Sequence, residues 1–133
     1  MSSQEARAIA VAGEDAAIYA YGVISAVLSN TDHRRALAAL RAHQSWRDRL
    51  AAVLPAGTTP TAAIAYDFPY PVTDSQQAVH LAQLVENRLV VVYADLAAAA
   101  TGDERADAVL AASECATRAV VWGAPSQAFP HGA

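Results

Sequence analysis

Apolar positions recur at helical spacing four times along this chain, and long polar or proline-containing segments separate the runs. From about Gln4 to Ser29, Val11, Ile18, Tyr21, Ile24 and Leu28 fall on one stripe, which predicts a first helix over about 4–29. Asn30 or Thr31 can cap a second helix over about 31–53, with Asp32 in its first turn, Ala36, Leu40, Leu50 and Leu54 as its periodic residues, and Pro55 and Gly57 to stop it. Residues of about 55–73, with Pro60, Pro69 and Pro71, follow neither period and predict a long connection. Thr73 or Asp74 then caps a third helix over about 74–101, running through Val79, Ala82, Val85, Leu89, Tyr93 and Leu96 toward Gly102. Asp103 opens a fourth over about 103–122, through Val109, Leu110, Ala116, Val120 and Val121 to Trp122. No internal repeat is expected from this reading.

Four amphipathic helices of this length predict an all-α four-helix bundle. Short links make the first and second helices, and the third and fourth, antiparallel neighbours. The long connection of about eighteen residues can reach ~60 Å when extended, enough to run the bundle's length and set the second and third helices parallel. Alternatively it folds upon itself as a lid. In either arrangement Tyr66, Phe68 and Tyr70 should cover apolar surface.

Composition narrows the partners. The 133 residues include 34 alanines, nine arginines, no lysine and 13 acidic groups, for a net charge of −4. Such a chain offers no basic field to nucleic acid or an anionic membrane. One cysteine, Cys115, excludes an internal disulfide and is expected to be a buried, inert thiol. The longest apolar run, Leu89 to Ala94, is too short to span a bilayer, and Met1–Gly13 lacks an apolar leader core, so a cytoplasmic location is expected. No phosphate-binding glycine loop or nucleophile elbow is present. His33 and His80 fall in first helical turns and are expected at the surface.

Polar residues that interrupt the apolar stripes carry the chemistry. Glu14 lies on the stripe of the first helix, His43 and Arg47 on that of the second, Glu86 on that of the third. In the fourth helix Leu110, Glu114, Thr117 and Val121 form one stripe and Val109, Ser113, Ala116 and Val120 another, so Glu114 falls at an edge. An unpaired buried charge costs several kcal/mol against a domain stability of ~5–15 kcal/mol. The carboxylates therefore need a bound cation, a polar network drawing on Arg47, Arg118 and the tyrosines, or raised pKa values that keep them protonated.

These residues resemble the ligand pattern of the ferritin-like superfamily, in which helices one and three each supply a Glu and helices two and four each a Glu-x-x-His pair. Glu14 and Glu86 match the single positions. Helix two reads Leu40-Arg41-Ala42-His43, keeping the His, and helix four reads Glu114-Cys115-Ala116-Thr117, keeping the Glu. The whole chain also resembles a small family of ferritin-like domain proteins of unknown function, through Glu14–Gly22, His43 with Arg47-Asp48, Tyr66–Val72, Glu86-Asn87 and Ala128-Phe129-Pro130. The resemblance implies a ferritin-like bundle with one long crossover between helices two and three, and no particular activity.

Two functions follow as expectations. One is a non-catalytic domain with no cofactor, holding an internal network of Glu14, His43, Arg47, Glu86 and Glu114 and acting through protein association. A homodimer is expected because Leu81, Leu84, Val85, Leu89, Val90, Val91 and Val92 surround the third helix and need cover on several sides. The other is an oxidoreductase or metal-storage protein in which Glu14, His43, Glu86 and Glu114 ligate one iron or manganese ion.

Overall fold

Helix formation follows the caps closely. In the computed structural model, which describes residues 1–55 and 68–126, α1 spans Ser3–Val27, α2 Asn30–Ala52, α3 Ser75–Ala99 and α4 Gly102–Val121. Ser2 and Asp74 cap α1 and α3 through reciprocal bonds with Glu5 and Gln77, satisfying two otherwise orphaned backbone donors at each start. α2 and α4 begin instead on residues in the left-handed region, Asn30 at φ 56° and Gly102 at φ 58°, a conformation that Asn and Gly adopt most readily.

These helices pack as the connections require. α1 lies against α2 and α3, and α3 against α4. Arg7 of α1 meets Glu104 at the start of α4, and Tyr21 meets Trp122 just past the end of α4, so these two helices run in the same direction. The pairings of Tyr21 with Glu86 and of Tyr93 with Glu14 make α1 and α3 antiparallel, which leaves α2 and α3 parallel. The end of α2 and the start of α3 therefore lie at opposite ends of the bundle, while residues 56–67 of the connection lie outside the described residues. Phe68 and Tyr70 pack on the core as expected, with Val72 beside them; Tyr66 and the segment Ala128–Pro130 lie outside the described residues.

The expectation of no internal repeat is wrong. α3 begins at Ser75 where α1 begins at Ser3, a shift of 72 residues, and the same shift carries the left-handed Asn30 onto Gly102. It also carries buried Ala6, Ala10, Glu14, Tyr21 and Ile24 onto Ala78, Ala82, Glu86, Tyr93 and Leu96, and buried Ala36, Ala39 and His43 onto Ala108, Ala111 and Cys115. The molecule is two similar helical hairpins facing each other about an approximate two-fold axis. Direct identity is low at large positions and the shared alanines are lost in an alanine-rich background, so periodicity alone does not expose the repeat.

Two apolar clusters fill the ends of the bundle. Trp46, Leu89, Tyr93 and Leu96 anchor one, and Tyr21, Ile24, Leu81 and Trp122 the other. A polar layer of Glu14, His43 and Glu86, all fully buried, separates them. Around α3, Leu81 and Leu89 are buried and Leu84, Val85, Val90, Val91 and Val92 are half-buried, and no large apolar side chain of that helix is exposed among the described residues.

Candidate functional site

All four helices contribute to the buried layer. Glu14 and Glu86 occupy repeat-related positions on α1 and α3, held close by small residues; a side chain at Gly13 would place its Cβ 3.0 Å from Leu89 Cδ2. His43 of α2 points between the two carboxylates, with Nδ1 2.6 Å from Glu14 Oε1 and Nε2 2.9 Å from Glu86 Oε2. Two tyrosines close the layer crosswise. Tyr21 of α1 donates to Glu86 Oε2 at 2.5 Å, and Tyr93 of α3 donates to Glu14 Oε2 at 2.6 Å. Trp122 Nε1 in turn donates to the Tyr21 hydroxyl at 3.0 Å.

Arg118 of α4 completes the charge balance. Its Nη1 lies 3.0 Å from Glu86 Oε1, with the side chain mostly covered. Burial alone would lower the value of His43, but its bonds to Glu14 and Glu86 outweigh burial and push it up to about 9. The ring is therefore an imidazolium at neutral pH, donating from both nitrogens. Burial raises the Glu86 carboxyl, and its contacts with His43, then Arg118 and Tyr21, more than offset this and leave it below the usual carboxylate range. Burial and the facing carboxylates push the Tyr21 and Tyr93 hydroxyls far up, so both stay protonated as donors. Two carboxylates against one imidazolium and one guanidinium make a neutral layer in which no buried side-chain nitrogen or oxygen among the described residues lacks a partner.

Arg47 does not join this layer. It reaches outward to Asp15 at 2.9 Å and Asp48 at 3.5 Å, and its side chain is 38% exposed. The inward stripe of α2 is Ala36, Ala39, His43 and Trp46, one position away from that expected, because Trp46 takes the core position next to Leu50 and turns Arg47 to the rim. Glu114 also stays outside: its carboxylate accepts from Trp46 Nε1 at 3.0 Å and stands 3.9 Å from Arg118. Neither predicted stripe of α4 faces the core. The inward line is Ala108, Ala111, Cys115 and Ala119, whose small side chains carry less hydrophobic signal than the valines and leucine on the other side.

Cys115 occupies the position that His43 holds in the other hairpin. Burial, then the carboxylates of Glu86 and Glu14, push its thiol far up, so it remains protonated and unreactive, as expected. His80 is exposed, as expected, and His33 is half-buried with Nδ1 2.6 Å from the Ser25 carbonyl.

The donor set does not fit a metal ion. A ligating imidazole must offer a lone pair, yet both nitrogens of His43 are spent donating to carboxylates. Arg118 supplies the positive charge where a cation would stand, and Glu114 belongs to another contact. Among the described residues no group of three or more His, Cys, Asp or Glu is placed to hold one. No described helix is long and apolar enough to cross a membrane.

Comparison with known proteins agrees with the fold and is silent on activity. A family model described as a domain of unknown function (DUF4439) matches residues 6–133. The crystal structure of a conserved hypothetical protein from Mycobacterium tuberculosis is similar at 31% identity and a TM-score of 0.80, over 90% of this chain and 93% of that one. No functionally curated protein matches the chain.

Proposed function

The chain belongs to the DUF4439 family of domains of unknown function, and we propose that it is a non-catalytic bundle acting through protein association, with the buried layer as a structural clamp between its hairpins. The observation that supports this most directly is the closure of the layer. Each charge of the layer has an opposite partner within it, and among the described residues no buried side-chain donor or acceptor lacks a partner. An active site of ordinary design keeps such valences open for its ligand. The wider reading as a degenerate ferritin-like bundle rests on Glu14 and Glu86 at matched positions of the two hairpins and on the single retained imidazole, His43.

Elemental analysis of protein purified without chelators, followed by thermal unfolding with added iron, manganese or zinc, tests the proposal. The expected result is no stoichiometric metal and no rise in melting temperature. A ligand that binds the folded form at a hundredfold excess over its Kd stabilises by about 2.7 kcal/mol, so a clear upward shift would overturn the clamp reading.

A further inference from the structure

The end of the bundle where α2 finishes and α4 begins holds a cavity of about 650 Å³, open on one side. Its walls are Trp46 and Leu50 of α2, Tyr93 and Leu96 of α3 and Ala108 of α4. α1 packs directly on α2 and α3, and α3 on α4, but α2 and α4 are joined by long side chains, so the space opens on the wide side of the bundle. Two ion pairs frame its mouth. Arg7 meets Glu104, Arg49 meets Asp107 at 3.1 Å, and the Arg49 guanidinium lies 4.6 Å from the centre of the Trp46 ring.

The opposite end of the molecule shows what fills such a place. Under the 72-residue shift, Tyr93, Leu96 and Ala108 correspond to Tyr21, Ile24 and Ala36, and Leu50 corresponds to Trp122. The indole of Trp122 is 4% exposed, belongs to the same apolar cluster as those three counterparts and lies 6.4 Å from the Tyr21 ring. Leu50 is half-buried and too short to reach as far. Trp46 does not substitute for it. It stands where the other hairpin has Arg118, one turn nearer the polar layer, and its bond to Glu114 holds it there as a wall.

We infer that this cavity binds a planar, uncharged aromatic molecule of indole size or somewhat larger, whose ring takes against Tyr93, Leu96 and Ala108 the place that Trp122 takes against Tyr21, Ile24 and Ala36. A space of this volume between helices, walled by apolar and aromatic side chains, suits a small organic ligand, and ring faces favour a ring. The mouth sets the charge. Each guanidinium there already has its carboxylate, so a charged ligand would shed water without gaining a free counterion.

An NMR titration of the protein with indole reads the outcome. The Trp46 indole N–H signal should shift and saturate at millimolar indole or below, while that of Trp122 stays in place. Leu50→Trp, which copies the opposite end, should weaken binding about tenfold or more with the circular dichroism unchanged, and Leu50→Phe makes the same test if the larger ring prevents folding. Indoleacetate and tryptamine, the anionic and cationic analogues, should bind more weakly than indole. An unmoved Trp46 signal, saturation that persists in the filled variant, or tighter binding of a charged analogue overturns the inference. The cavity lies outside the closed layer, so none of these results touches the clamp reading, whose own test is metal content and thermal shift.

Discussion

The bundle has two seams between its hairpins, and they are built on opposite terms. Where α1 meets α3, small residues and Gly13 bring the backbones close, and the tyrosine–glutamate bonds cross symmetrically, Tyr21 to Glu86 and Tyr93 to Glu14. Where α2 faces α4, long side chains reach across: Trp46 to Glu114, Arg49 to Asp107, Arg118 past His43 to Glu86. The 72-residue repeat holds for the Glu and Tyr pairs of the first seam and breaks in the second, where His43 corresponds to Cys115 and Trp46 to Arg118. One hairpin contributes the imidazolium, the other the guanidinium. The difference teaches that the two cations of the layer come from unmatched positions of the two hairpins, position 43 in one and position 118 in the other. Two imidazoles or two thiols at the matched positions would not supply the same pair of cations.

Substitutions that remove a carboxylate should separate the seams most. Glu86→Ala strands both the imidazolium of His43 and the guanidinium of Arg118, and a loss of about 3–5 kcal/mol in urea unfolding is expected. Arg118→Met unbalances only the wide seam, leaving Glu86 with His43, and should cost about 2–3 kcal/mol by the same measurement. Equal losses in the two variants would mean that Arg118, not the carboxylate, holds the layer together.

Solution pH acts on the imidazolium shared by both seams. His43 titrates near 9 in the folded chain against an ordinary 6.5, so its contribution is complete below about pH 6.5 and is lost as pH rises through about 9. Glu86 is shifted the other way, so its share is present above its ordinary value of 4.5 and fades as pH falls below that. Melting temperature should therefore be highest between about pH 4.5 and 6.5 and decline toward pH 9.5, by roughly 3 kcal/mol in unfolding free energy. A flat alkaline limb would place a neutral ring between the carboxylates. The smallest effect is expected from Arg47→Met: its rim pairs with Asp15 and Asp48 are exposed, and a change within about 1 kcal/mol should result.

Much of this architecture is legible in the sequence, and the exceptions share a cause. Helix number, caps and the parallel course of α2 and α3 follow from periodicity and connection length. Glu14, His43 and Glu86 are found because a charged group in an apolar stripe is conspicuous. The counterion is misassigned because Arg47 and Arg118 sit on equally plausible lines, and the deciding residue is the bulky Trp46. In α4 the valines and leucine outshine the alanines and cysteine of the true core line. The crossed tyrosines do leave a readable trace, Glu14 to Tyr21 and Glu86 to Tyr93 at the same seven-residue interval.

The matched left-handed starts at Asn30 and Gly102 give both hairpins the same bend, and with it a degree of self-sufficiency. Residues 1–55 hold Glu14 and Tyr21, an acceptor and a donor of the narrow seam. Residues 75–121 hold Glu86 and Tyr93 at the same interval, so each hairpin closes on the other with a donor and an acceptor of its own.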